Sequence, residues 1–134
     1  METDFIHFKR QEGFRFTFPA PLAATFAILK IQGREVETKK GEIHLLDISL
    51  KGAKAVSPLK VPEHTQVLIE FTLERTAFSI VGEFIWLKQS QEGFVYGVRF
   101  LPESYSENEL LDELKYISRK QHESREEQSD ASKA

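Results

Sequence analysis

Apolar residues in this chain recur at every second position, and that spacing limits its fold more than any other feature. Leu22, Ala24, Phe26 and Ile28 form one such set, and Val67, Ile69, Phe71 and Leu73 a second. Phe78, Ile80, Gly82, Phe84 and Trp86 form a third, and Phe94, Tyr96, Val98 and Phe100 a fourth. A period of two places each set on one side of a pleated strand. A further run, Ile43 to Leu50, is interrupted by Asp47 and Ser49. The separators carry turn chemistry: Gly33-Arg34, Lys39-Lys40-Gly41, Ser57-Pro58, Val61-Pro62-Glu63 and Gln91-Glu92-Gly93. About six short strands with turns between them predict a sandwich or a small closed barrel. No helical pattern separates the strands, which argues against a parallel βαβ sheet.

The period changes after Pro102. Ser106 followed by Glu109 matches a capping box, in which each side chain satisfies an orphan amide. Leu110, Leu111, Leu114 and Ile117 then recur at helical spacing. The spacing predicts a helix over about 106–120 whose apolar stripe docks on the strands. From 121 to 134 apolar anchors are lacking, and a disordered polar tail is expected. Residues 1–8 are read as an N-terminal arm, and 9–120 as one domain.

At 134 residues the chain suits one domain that buries its own core. It has no cysteine, so no disulfide framework, thiolate metal site or cysteine nucleophile is available. No run approaches the roughly 18 apolar residues that span a membrane, and Met1 to Arg10 lacks an apolar signal core. A cytoplasmic protein without membrane insertion is expected. The net charge of −3 argues against a general nucleic-acid binder. That charge is unevenly spread: residues 1–102 carry 13 basic and 12 acidic side chains, and residues 103–134 carry 5 and 9. The body is therefore nearly neutral, and the deficit belongs to the C-terminal helix and tail.

Enzyme chemistry finds no support in the spacing. His7, His44, His64 and His122 lie far apart without metal-ligand spacing. There is no phosphate-binding glycine loop, nucleophile elbow or HExxH pattern. The expectation is a protein that is not an enzyme and carries no cofactor or metal.

Two polar segments interrupt the strand pattern. Lys9-Arg10-Gln11-Glu12-Gly13-Phe14-Arg15 precedes the first strand and holds three cations in seven positions. An arginine fork fits phosphate oxygens or the O6/N7 edge of guanine. The alternative use of the segment is simply a solvated arm. The second segment is Asp47-Ile48-Ser49-Leu50-Lys51-Gly52. Two residues apart on a strand, Asp47 and Ser49 are expected on one face, where they can accept and donate hydrogen bonds to a base edge. Gly52 would allow a bulge or a positive φ where a ligand or the arm approaches closely. An edge strand with a polar outer face explains the same residues without a ligand.

Taken together, a basic arm, a strand, and D-x-S-x-x-G some thirty residues later resemble the PilZ domain family. Gly82-Glu83-Phe84-Ile85-Trp86 and Tyr96-Gly97-Val98-Arg99-Phe100 are similar to the family's late hairpin, and the helix follows as it does there. The resemblance implies an all-β, six-stranded antiparallel barrel with a C-terminal α-helix. It further implies a receptor for the bacterial second messenger cyclic di-GMP, bound by Lys9, Arg10, Gln11, Arg15, Asp47, Ser49 and Gly52. Ligand capture would order the arm and change the surface offered to a protein partner in motility, adhesion or biofilm control.

One position departs from the pattern. Gln11 stands where the family's R-x-x-x-R arm has its first arginine, although Arg10 matches the first of a double arginine and Arg15 the second arm arginine. Exchanging a charge-assisted bond for a neutral one costs about 1 kcal/mol, roughly fivefold in affinity. The alternative reading is therefore a degenerate module that binds no nucleotide and serves as a protein-interaction scaffold.

Overall fold

The computed structural model describes residues 14–36 and 40–133, with side chains up to residue 123. Seven strands follow in order: β1 Arg15–Ile31, β2 Arg34–Glu35, β3 Gly41–Ser49, β4 Gly52–Ser57, β5 Gln66–Thr72, β6 Ala77–Ser90 and β7 Gly93–Phe100. A 3₁₀ turn, Pro102–Ser104, leads into the helix α1, Glu107–Lys133.

Six of the strands form a ring in the order β1-β3-β4-β7-β6-β5, closed because β1 also pairs with β5. Every pairing is antiparallel. Closure depends on the length of β1, 17 residues. Its positions Arg15 to Phe26 face β3, and Thr25 to Lys30 face β5. Between Thr17 and Leu22 the β1–β3 register breaks, where Pro19 and Pro21 cannot donate to a ladder. The two-residue β2 is only a flap on β1. Gln32 and Gly33, at φ 52° and 79°, make the tight turn that folds it back. The six-stranded barrel expected from the sequence is thus the architecture found.

The inner faces meet in one core. Ile43, Leu45, Ile48, Val67, Ile69, Ile80, Phe84 and Tyr96 are fully buried. The Phe84 ring stacks on Tyr96 at 4.3 Å and meets Phe26 at 5.8 Å. The period-two sets of β5 and β7 point inward as expected.

One residue of the β6 set does not. A bulge at Ile85 puts Phe84 opposite Val98 and Trp86 opposite Gly97. An extra residue reverses the faces of everything beyond it. Trp86 therefore leaves the inner set for the outside of the barrel, and Ile85 becomes an exposed apolar side chain.

Helix α1 closes one end of the ring. Leu110, Leu114 and Ile117 are buried against the barrel core, with Leu111 partly buried beside them. Ser106 Oγ accepts the Glu109 amide at 3.2 Å, the expected N-cap bond. The helix continues past the boundary drawn at 120, through the polar segment to Lys133. Residues 121–133 are mostly good helix formers, while the apolar stripe ends at Ile117.

Candidate ligand site

The D-x-S-x-x-G segment forms the end of β3, a two-residue turn and the start of β4. A register shift between Leu45 and Asp47 turns Asp47 outward, opposite Lys54, and returns Ile48 to the core. Ser49 is buried, and its hydroxyl is used within the turn. Ser49 Oγ accepts the amides of Lys51 at 3.3 Å and Gly52 at 3.2 Å, and donates to the Gly52 carbonyl. Asp47 and Ser49 stand in unbroken register with Thr17 and Arg15 of β1 and so share one face of β3, but the Ser49 hydroxyl is already engaged within the turn. The serine shapes the turn, and the aspartate pairs with Arg15 of β1.

Gly52 has no positive φ; it is needed for close approach. A Cβ there would lie 2.2 Å from the Val98 carbonyl oxygen of β7. Any side chain would push β4 off β7 and widen the turn that carries the motif.

Outside this turn lies a shallow groove of about 410 Å³, lined by Arg15, Ser49, Lys51, Gly52, Lys54, Ile85, Trp86, Gly97 and Arg99 among others. Antiparallel pairing explains the gathering. Asp47, Lys54, Gly97 and Trp86 stand in register across β3, β4, β7 and β6, and Gly52, Arg99 and Glu83 form the next row. Directly opposed residues share a face. The indole of Trp86 lies on Gly97, where a Cβ would come within 2.0 Å of Nε1. The Lys88 ammonium stands 5.6 Å from the Trp86 ring centroid.

Charge in the groove is mostly paired. Arg15 at the start of β1 donates to the Asp47 carboxylate, the arginine half exposed and the aspartate mostly covered. Lys51 Nζ meets Glu107 Oε1 at 2.6 Å. Arg99 donates to Glu83 at 2.7 Å, and His64 lies 3.3 Å from the same carboxylate. The Arg99 hydrogen bond, helped by His64 and opposed by burial, holds the Glu83 carboxyl below its usual range. Lys54 has no ion pair among the described residues. Among the described residues four cations line the groove, and three of them are paired with carboxylates.

Of the seven sequence-predicted site residues, the structure brings together Arg15, Asp47, Ser49 and Gly52. Lys9, Arg10 and Gln11 lie outside the described residues. Sequence reasoning missed Lys51, Lys54, Trp86 and Arg99. Arg99 and Trp86 fell in segments that were read as hairpin, and the β4–β7 pairing, which period-two counting cannot show, carries them to the same groove. No group of three or more metal-ligating side chains occurs among the described residues. No helix there is long and apolar enough to cross a membrane.

The architecture is a closed antiparallel barrel capped by a helix, with an arginine of the first strand opposite a serine-built turn on the outer wall. The chain belongs to the PilZ domain family, whose family model matches residues 9–116.

Three solved structures share the fold. YcgR from Escherichia coli in complex with c-di-GMP is 18% identical with a TM-score of 0.60, over 88% of this chain and 49% of that one. The chain thus spans about half the length of that relative. The PilZ domain of the same YcgR with c-di-GMP is 20% identical with a TM-score of 0.61, over 84% and 95%. The PlzA protein of Borreliella burgdorferi in complex with c-di-GMP is 16% identical with a TM-score of 0.50, over 78% and 40%. At such identities the likeness is one of fold. No curated protein sequence matches the chain significantly.

Proposed function

We propose that this protein is a cyclic di-GMP receptor that undergoes no catalytic turnover. The observation that carries the reading is the Arg15–Asp47 ion pair. It links the arm motif to the D-x-S-x-x-G motif beside the groove, and on this reading the guanidinium would meet a phosphate or guanine edge and the carboxylate a guanine N–H. Lys54 and Arg99 add positive charge to the same wall, and the Trp86 indole offers a ring face to a purine. The family's solved members with c-di-GMP support the ligand class.

On this reading residues 9–15 close over the groove when ligand arrives, with Lys9 and Arg10 adding the charge that Gln11 lacks. Closure alters the surface shown to a protein partner, in motility, adhesion or biofilm control, within the cytoplasm. A ligand drives that change only through its greater affinity for the closed arm.

The second reading, a scaffold that binds no nucleotide, is favoured by Gln11 in the arm. Calorimetric titration with cyclic di-GMP separates the two. Saturable heat in the wild type, with about fivefold tighter binding by Gln11→Arg, supports the receptor. A silent wild type whose Gln11→Arg variant binds supports the scaffold.

A further inference from the structure

Lys51 occupies the tip of the β3–β4 turn, and its backbone and side chain are held very differently. The backbone is clamped from both sides: the Phe100 amide donates to the Lys51 carbonyl at 2.8 Å, and the Tyr105 hydroxyl donates to the Leu50 carbonyl. The amide of Lys51 is in turn bound by Ser49 Oγ. Among the described residues the side chain has one ion-pair partner, the Glu107 carboxylate at 2.6 Å, and the two side chains are 51% and 39% exposed. Lys51 also lines the groove, together with Arg15, Lys54 and Arg99. A rigid turn thus presents a flexible cation between a carboxylate on α1 and the candidate ligand site.

We propose that Lys51 contacts a ligand phosphate and that Glu107 is its intramolecular competitor. The inference rests on the groove being the cyclic di-GMP site. A lysine suits this exchange, because its ammonium is a compact point charge on a long flexible stem. Glu107 can be abandoned cheaply. It stands in the first turn of α1, where the helix dipole stabilises a carboxylate without a partner. Exposed ion pairs shift an equilibrium by less than about fivefold, so Glu107 tunes the affinity and does not block binding. Occupancy would release the α1 end of the pair, which gives the helix a direct report of the ligand.

The test is calorimetric titration of cyclic di-GMP into the full chain at low ionic strength. Four proteins are compared: the wild type, Glu107→Gln, Lys51→Met and the double variant. Thermal melts confirm that each is folded. Glu107→Gln should bind about two- to fivefold more tightly, and Lys51→Met about tenfold more weakly. The double variant should match Lys51→Met, because Glu107 acts only through Lys51. An unchanged Glu107→Gln affinity overturns the inference, and so does an equal gain in the Lys51→Met background, which marks a general charge effect. Either result leaves the receptor reading standing. Binding by none of the four overturns the receptor reading and this inference together.

Discussion

Helix α1 is fastened to the barrel at two turns of the same rim, and the two fastenings are built on opposite principles. At the β3–β4 turn the helix start is held by an exposed Lys51–Glu107 pair and by the Tyr105 hydroxyl on the Leu50 carbonyl. At the β5–β6 turn Glu113, whose side chain is only 2% exposed, accepts both the Arg75 amide at 2.5 Å and Arg75 Nε at 2.8 Å. The Arg75 guanidinium also lies 3.8 Å from the Tyr116 ring centroid and 3.5 Å from Asp112. One attachment is a buried, multiply bonded anchor, and the other is a solvent-facing pair beside the candidate site. The difference separates what holds the helix from what lets it respond.

That separation is broken most directly at Glu113. Glu113→Ala leaves the Arg75 amide and guanidinium without their shared acceptor. Losing hydrogen bonds to a buried charged group costs about 2 kcal/mol, which lowers Tm by roughly 6–10 °C in a domain of this size. Thermal unfolding by circular dichroism reads the loss. Cyclic di-GMP affinity should stay within about twofold of wild type, since the β5–β6 turn does not line the groove. A large loss of affinity in a folded Glu113→Ala protein would show that the two fastenings are one unit.

Tyr105 gives a smaller effect with a sign set by pH. Burial, reinforced by the Glu107 charge, pushes its phenol up to about 12 from an ordinary 10.0. The folded state therefore favours the neutral, donating hydroxyl. The stability this contributes is fully present below pH 10 and is lost as pH rises from 10 towards about 12. Tyr105→Phe removes the bond to Leu50, at about 1 kcal/mol near neutral pH, and should make alkaline unfolding less steep. Tyr96, also raised by burial, stays in the variant and keeps part of the alkaline transition. Denaturant midpoints at pH 8 and above, followed with tyrosinate absorbance, check both points. An unchanged alkaline profile in Tyr105→Phe would mean that the start of α1 is held by Lys51 and the apolar stripe alone.

Much of the fold was legible because it follows from periodicity. The strands of the ring, the inward sets of β5 and β7, the Ser106 cap and the stripe of α1 all express a spacing of two or of about 3.6 residues. Trp86 escaped because a bulge leaves no mark in an alternating pattern, and one extra residue at Ile85 reverses the face. Ser49 was legible by its spacing from Asp47 on a regular stretch of strand, but its engagement with the Lys51 and Gly52 amides was not, because a turn's internal hydrogen bonds leave no periodic signal. Lys54 and Arg99 stayed hidden because the groove gathers strands distant in sequence. Glu113 did carry a signal. It falls among Leu110, Leu114 and Ile117 on the apolar stripe, where a carboxylate without a partner would be costly.

Glu107→Gln should produce the smallest change in stability, and for that reason it is the most discriminating variant. The exposed pair and the favourable placement at the helix start together account for about 0.5 kcal/mol. Its melting temperature should therefore fall by no more than a few degrees, far less than that of Glu113→Ala. The comparison predicts a reciprocal pattern, in which Glu113 governs stability with little influence on affinity and Glu107 governs affinity with little influence on stability. Melting and titration of the same two preparations decide it. If Glu107→Gln destabilises the protein as much as Glu113→Ala, the exposed pair is a structural anchor. Lys51 would then have no freedom to leave it for a ligand.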